Sequence, residues 1–218
     1  KPSSAASDVY KRQFVAGGGG YWESGGVWAG NIYLATASYV DLGHINYEWP
    51  EVAKHEFFHV VQNYSLYRGN RQRPSSSSEY SLIEPQHFRE GSANAIGYLT
   101  GFRHLGWSSD ALTWMVWRRQ TDAKDWIDVR SVADAVRMMR ATEVSEPAAA
   151  FEMSYAIGAV MYEWVLGTYG MEGFTALLRQ LATAQSFDEA LRKSIGLSQS
   201  EFYAQSAPYV VEVFESAR

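Results

Sequence analysis

The stretch His55-Glu56-Phe57-Phe58-His59 constrains this chain more than any other. On a helix, residues four apart share a face, one turn above the other. His55 and His59 can therefore aim two imidazoles at one metal ion, while Glu56 sits about 100° round the helix. From there a carboxylate reaches a water at the ion without taking a coordination position. A catalytic zinc site uses three protein nitrogen or oxygen ligands and leaves a fourth place for water. Val52, Val60 and Val61 are apolar flanks, and Pro50 stands where a first turn begins. A helix over roughly 51–66 is expected. The plain alternative is a solvated helix face carrying His and Glu by chance, and a third ligand decides between them.

Downstream candidates for that ligand are Glu79, Glu84, His87 and Glu90. The metzincin pattern, with Gly three and His six positions after the second motif histidine, is excluded, because Gln62 and Ser65 stand there. Glu90 has the best surroundings. It lies in a run containing Gly91, Ser92, Ala93, Ala95 and Gly97. Such small residues let two helices approach below the usual separation of about 8–10 Å, so that a carboxylate reaches a metal held by a neighbouring helix. Asn94, one turn after Glu90, offers an amide oxygen that can take a proton from a ligand imidazole and so orient it. The alternative for this run is a small-residue helix contact with an exposed Glu.

His55-Glu56-x-x-His59 followed by Glu90-Gly91-x-Ala93 resembles the gluzincin metallopeptidases, the thermolysin- and aminopeptidase-like clan, whose second motif often reads E-G-x-A. The resemblance implies one zinc ion, Zn2+, held by His55, His59 and Glu90, with Glu56 as general base. Glu90 stands 31 positions after His59, a longer gap than the clan usually shows, and the segment from Arg68 to Ser78 supplies the surplus. Where thermolysin-like members carry Asp four places after the ligand Glu, this chain has Asn94. The likeness continues through Tyr155-Ala156-Ile157-Gly158, Tyr169-Gly170 and Ser186-Phe187-Asp188-Glu189-Ala190-Leu191, covering roughly Val27 to Val211. It is specific at the metal motifs and loose elsewhere. In the clan the oxyanion donor is often a Tyr or His from a later helix. Tyr155 holds the matching Y-x-x-G position, with a core tyrosine as the alternative.

The function implied is peptide-bond hydrolysis by a metal-activated water, with endopeptidase as the leading reading and a peptide or protein as substrate. An aminopeptidase of the same clan is the first alternative. Its amine-binding Glu is not supplied by Gly30-Asn31-Ile32-Tyr33-Leu34, and Glu23 is a weak substitute. A catalytically silent binding module of zincin fold is the other, and the intact Glu56 argues against it.

The remainder of the chain sets bounds. A length of 218 residues gives ample material for a core, and a net charge of −5 implies no general attraction to nucleic acid. The chain has no cysteine, which excludes a disulfide framework and thiolate ligands. The most apolar helix, 148–166, is interrupted by Glu152 and Glu163, so no membrane span is expected. Compartment and oligomeric state are left open. Residues 1–13 read as a non-native or disordered tail, in which case the native N-terminus lies upstream, and residues 14–218 as one catalytic domain. Glycines from Gly17 to Gly26 bracket Tyr21-Trp22-Glu23 as a loop or hairpin, and 27–37 reads as a strand bordering the cleft or lying inside a sheet.

Helices are expected from Pro85 to about residue 102 and over 147–169, the latter stopped by Gly170. Asp128 is expected to cap another, with Val132, Val136 and Met139 on one side. Ser186/Glu189 and Ser198/Glu201 read as capping boxes, Gly196 as a separator and Pro208 as a stop or kink. His44, His87 and His104 read as surface or satisfied histidines. The architecture expected is α+β, mainly α and zincin-like: a small N-terminal β region packed on a helical body, with the active-site cleft between them.

Overall fold

Capping chemistry and apolar periodicity decide where the helices run. The computed structural model describes residues 21–24, 30–33, 49–67, 82–101, 113, 116, 128–144 and 147–218. Strands β1 (Tyr21–Ser24) and β2 (Gly30–Tyr33) precede helices α1 (Trp49–Tyr67), α2 (Gln86–Gly101), α3 (Val132–Ala141), α4 (Ala148–Leu181), α5 (Phe187–Ile195) and α6 (Gln199–Ser216). The expectations for residues 1–13, the Arg68–Ser78 segment, Glu79, His44 and His104 lie outside the described residues.

Several helix boundaries follow local rules. Ser198 caps α6 through a full capping box, its hydroxyl accepting from the Glu201 N–H while the Glu201 carboxylate accepts from the Ser198 N–H. At α5, Ser186 accepts from the Glu189 N–H, but the Glu189 carboxylate takes the N–H of Gln185 instead of closing the box. Gly196 ends α5 in the left-handed region at φ 78°. Within α4, Gly170 has φ 67°, and helix resumes beyond it to Leu181. An interruption with positive φ is what glycine alone adopts without strain.

Two local expectations need correction. Ser131, not Asp128, caps α3, accepting from the Asp134 N–H at 3.2 Å. Asp128 instead pairs with Arg130 and Arg218, and the buried stripe of α3 is Ala135, Met138 and Met139, with Val132 exposed. Pro208 lies inside α6, which continues to Ser216.

The long helix α4 is the axis of the body, with α1, α2, α3, α5 and α6 packed against it. The rings of Phe88, Tyr162, Phe174, Phe187 and Phe202 interlock at the centre, at 1 % exposure or less. Each such ring contributes about 1.5–3 kcal/mol through burial. Among the described residues no helix is long and apolar enough to cross a membrane.

The expected fold class is not what forms. The body is a helical bundle rather than an α+β layer structure, and among the described residues the strands amount to one antiparallel pair, Tyr21 opposite Tyr33 and Ser24 opposite Gly30. A two-stranded pair of this length is marginal by itself and does not make a second layer. The expected location of the site, between a β region and helices, falls with it: the side chains of His55, His59 and Glu90 converge between helices.

Candidate metal centre

The site is built from α1 and α2. One turn of α1 stacks His55 over His59, and α2 brings Glu90 across to them. Glu90 Oε2 stands 3.4 Å from His55 Nε2 and 3.3 Å from His59 Nε2, and the two Nε2 atoms are 3.0 Å apart. All three side chains are buried. They form a group able to hold a metal ion. Packing three electron-pair donors this closely away from water is unfavourable unless a cation lies among them. Burial alone would push the Glu90 carboxyl up. The imidazoles of His55 and His59 beside it outweigh that effect and hold the group well below the usual carboxylate range. Its other oxygen, Oε1, accepts from Gln86 Nε2 at 3.3 Å and lies 3.8 Å from Arg89 Nε. The carboxylate thus presents one oxygen to the imidazoles and has the other held on its own helix.

Among the small residues of α2, Gly91 acts differently from expectation. A Cβ on Gly91 would lie 2.2 Å from the Cα of Gly158, so the close approach is to α4 and not to the histidine helix. Gly158 is the glycine of Tyr155-x-x-Gly158, and the contact brings Tyr155, one turn earlier, beside the metal centre. Its ring stacks on His55 with centroids 5.8 Å apart at 20°. Phe151 supports it edge-on at 5.2 Å.

The remaining candidates fall elsewhere. Asn94 donates to the Tyr155 carbonyl at 3.4 Å. It was expected to take a proton from a ligand imidazole; for His59 that acceptor is Gln62 Oε1, 2.7 Å from Nδ1. The Nδ1 of His55 is buried with no partner among the described residues. Glu56 lies on α1, and its side chain is outside the described part. Glu84 is buried apart from the cluster.

His87, fully buried, is a satisfied histidine of the core. Tyr203 gives its proton to Glu143 Oε1 at 2.9 Å and so accepts from His87 Nε2 at 2.8 Å, while the Tyr162 hydroxyl approaches His87 Nδ1 at 3.5 Å. Burial without a counter-charge drives the His87 pKa down to about 3. The backbone N–H groups of Gln86 and His87 donate to the carbonyls of Glu143 and Thr142, just beyond the end of α3. The first turn of α2 is anchored there, one turn before Glu90.

The residues that sequence reasoning passed over are Gln62 and Gln86. Each stands three or four positions from a ligand on the ligand's own helix, and that spacing was the available signal. Compared with known protein families, curated proteins and solved structures, the chain finds no match in any of the three.

Proposed function

We propose that this chain is a zinc-dependent hydrolase that cleaves peptide bonds, acting as an endopeptidase. The observation that carries the reading is the convergence of His55 Nε2, His59 Nε2 and Glu90 Oε2. Tetrahedral zinc with bonds of about 2.0–2.2 Å places its ligand atoms about 3.3–3.6 Å from one another. The separations of 3.0, 3.3 and 3.4 Å are close to the edges of one such face. The donor set of nitrogen, nitrogen and one carboxylate oxygen suits zinc and leaves the fourth position to water or substrate.

Zinc, when bound, supplies Lewis acidity toward the attacking water and the scissile carbonyl. The chain supplies the rest. Glu56, assigned by its place in the His55-Glu56-x-x-His59 motif, takes the proton of the water and passes it to the departing nitrogen. Tyr155, whose ring stacks on the His55 imidazole, is assigned as the donor to the developing oxyanion. Internal cleavage is favoured over removal of N-terminal residues because Gly30–Leu34 carries no glutamate to hold a free amine.

The test is cleavage of an unstructured protein by zinc-loaded wild type and by Glu56→Gln, read by mass spectrometry. Wild type should cut within the chain, and Glu56→Gln should keep its zinc and lose at least about 10²-fold in rate. A fully loaded wild type that cuts nothing overturns the reading in favour of a silent binding module.

A further inference from the structure

We propose that Gln62 is the positioning residue of the metal centre: it sets the tautomer of His59 and ties the histidine helix to the Glu90 helix. The inference rests on the reading of His55, His59 and Glu90 as metal ligands. Gln62 follows His59 by three positions, so it lies on the same face of α1, at 1 % exposure. Its amide is used at both ends. Oε1 is 2.7 Å from His59 Nδ1, and Nε2 is 2.9 Å from the Arg89 carbonyl oxygen and 2.8 Å from Ser92 Oγ.

The direction of these bonds follows from one group. A backbone carbonyl only accepts, so the Gln62 end facing Arg89 must be the NH2. The end facing His59 is then the carbonyl oxygen, which also only accepts. The proton of neutral His59 therefore sits on Nδ1, and Nε2 presents its lone pair to the point where Glu90 Oε2 and His55 Nε2 meet. A histidine with the proton on Nε2 could not ligate there. The other end of the same amide holds the carbonyl of Arg89, immediately before Glu90, and the hydroxyl of Ser92, two positions after it. One side chain thus fixes one ligand directly and the backbone that carries another. His55 lacks such a partner among the described residues, since its Nδ1 is bonded to nothing there. His59 is the imidazole whose orientation is set in advance.

Zinc affinity would be measured by chelator competition on wild type, Gln62→Leu and Gln62→Glu, with the ring-nitrogen NMR shifts of His59 recorded in zinc-free protein at pH 8. Wild type should show His59 protonated on Nδ1. Gln62→Leu, which keeps the volume and removes both functions, should bind zinc about 10–100-fold more weakly and lose the single tautomer. Gln62→Glu keeps an acceptor for Nδ1–H, so it should restore the tautomer and most of the affinity while losing thermal stability, because its carboxylate faces the Arg89 carbonyl. A purely structural Gln62 would move stability in both variants and leave the tautomer alone, which overturns the proposal. Should Gln62→Leu fail to fold, wild type decides: His59 protonated on Nε2 overturns the proposal without any variant. Wild type that binds no zinc overturns the metal reading itself. Wild type that binds zinc, with Gln62→Leu equal to it, overturns only the role of Gln62.

Discussion

Gly91 and Gly158 meet backbone to backbone. A Cβ on Gly91 would lie 2.2 Å from Gly158 Cα, and a Cβ on Gly158 would lie 2.2 Å from the His87 carbonyl oxygen. Neither obstacle is the end of a flexible side chain, so neither can turn aside. The crossing of α2 over α4 sets where Glu90, next to Gly91, and Tyr155, one turn before Gly158, stand relative to His55.

Gly158→Ala should therefore destabilise the protein by about 3 kcal/mol or more, the upper range for overpacking, and should weaken metal retention by moving Glu90. Gly167→Ala is the control. Gly167 is exposed on the same helix, and nothing lies within 4 Å of its added Cβ. That change should stabilise by about 0.5–1 kcal/mol through the lower entropy of the unfolded chain. Denaturant unfolding of both variants checks the pair. Equal effects would mean that the helix crossing is looser than described.

Glu90→Gln should lose tight metal binding while keeping the fold. The amide retains the shape and the contact from Gln86, but it removes the negative charge that His55 and His59 hold in place. Metal content after dialysis against a weak chelator is the measurement, with thermal unfolding of the zinc-free proteins alongside. Equal retention in wild type and variant would remove Glu90 from the ligand set.

Tyr155→Phe separates the two roles of that ring. Phenylalanine keeps the stacking on His55 and the edge contact with Phe151, so metal affinity and stability should stay close to wild type. If the hydroxyl serves the oxyanion, kcat falls by about 10²–10³ with little change in KM. A core tyrosine predicts the reverse: a lower melting temperature and near-normal kcat in the folded enzyme.

His87 makes the stability of the fold depend on acid. It is neutral in the folded chain with a pKa near 3, because burial excludes the charged form. The unfolded chain takes up a proton below the ordinary histidine value of 6.5. Stability from this group is thus complete above that value and is lost as pH falls toward the folded one, at up to about 1.4 kcal/mol per pH unit. Between pH 7 and pH 5 the loss amounts to about 2 kcal/mol. Urea unfolding of the zinc-free protein at both pH values should show that difference in wild type and a flatter dependence in His87→Gln. Parallel slopes for the two proteins would assign the acid sensitivity to other groups.

What the residues determined by themselves is local. The stacking of His55 over His59, the Ser198–Glu201 capping box, the interruption at Gly170 and the stop at Gly196 depend on interactions three to five residues apart, which any helix with this order of side chains makes. The ends of α1 and α2 were legible for the same reason. Tertiary structure decided everything that depends on distant partners. It chose Glu90 over Glu84 and His87, because only the carboxylate of Glu90 arrives beside both Nε2 atoms. It gave Gly91 to Gly158 instead of to the histidine helix, and so placed Tyr155. It sent Asn94 to the Tyr155 carbonyl and put Gln62 on His59, where an amide held 27 positions along the chain by the Arg89 carbonyl fixes a proton. It also buried His87 against Tyr203, 116 positions away. The α+β expectation failed on the same ground. A four-residue strand can be read from alternation, but whether a β layer covers the helices depends on what faces them, and here the helices cover one another.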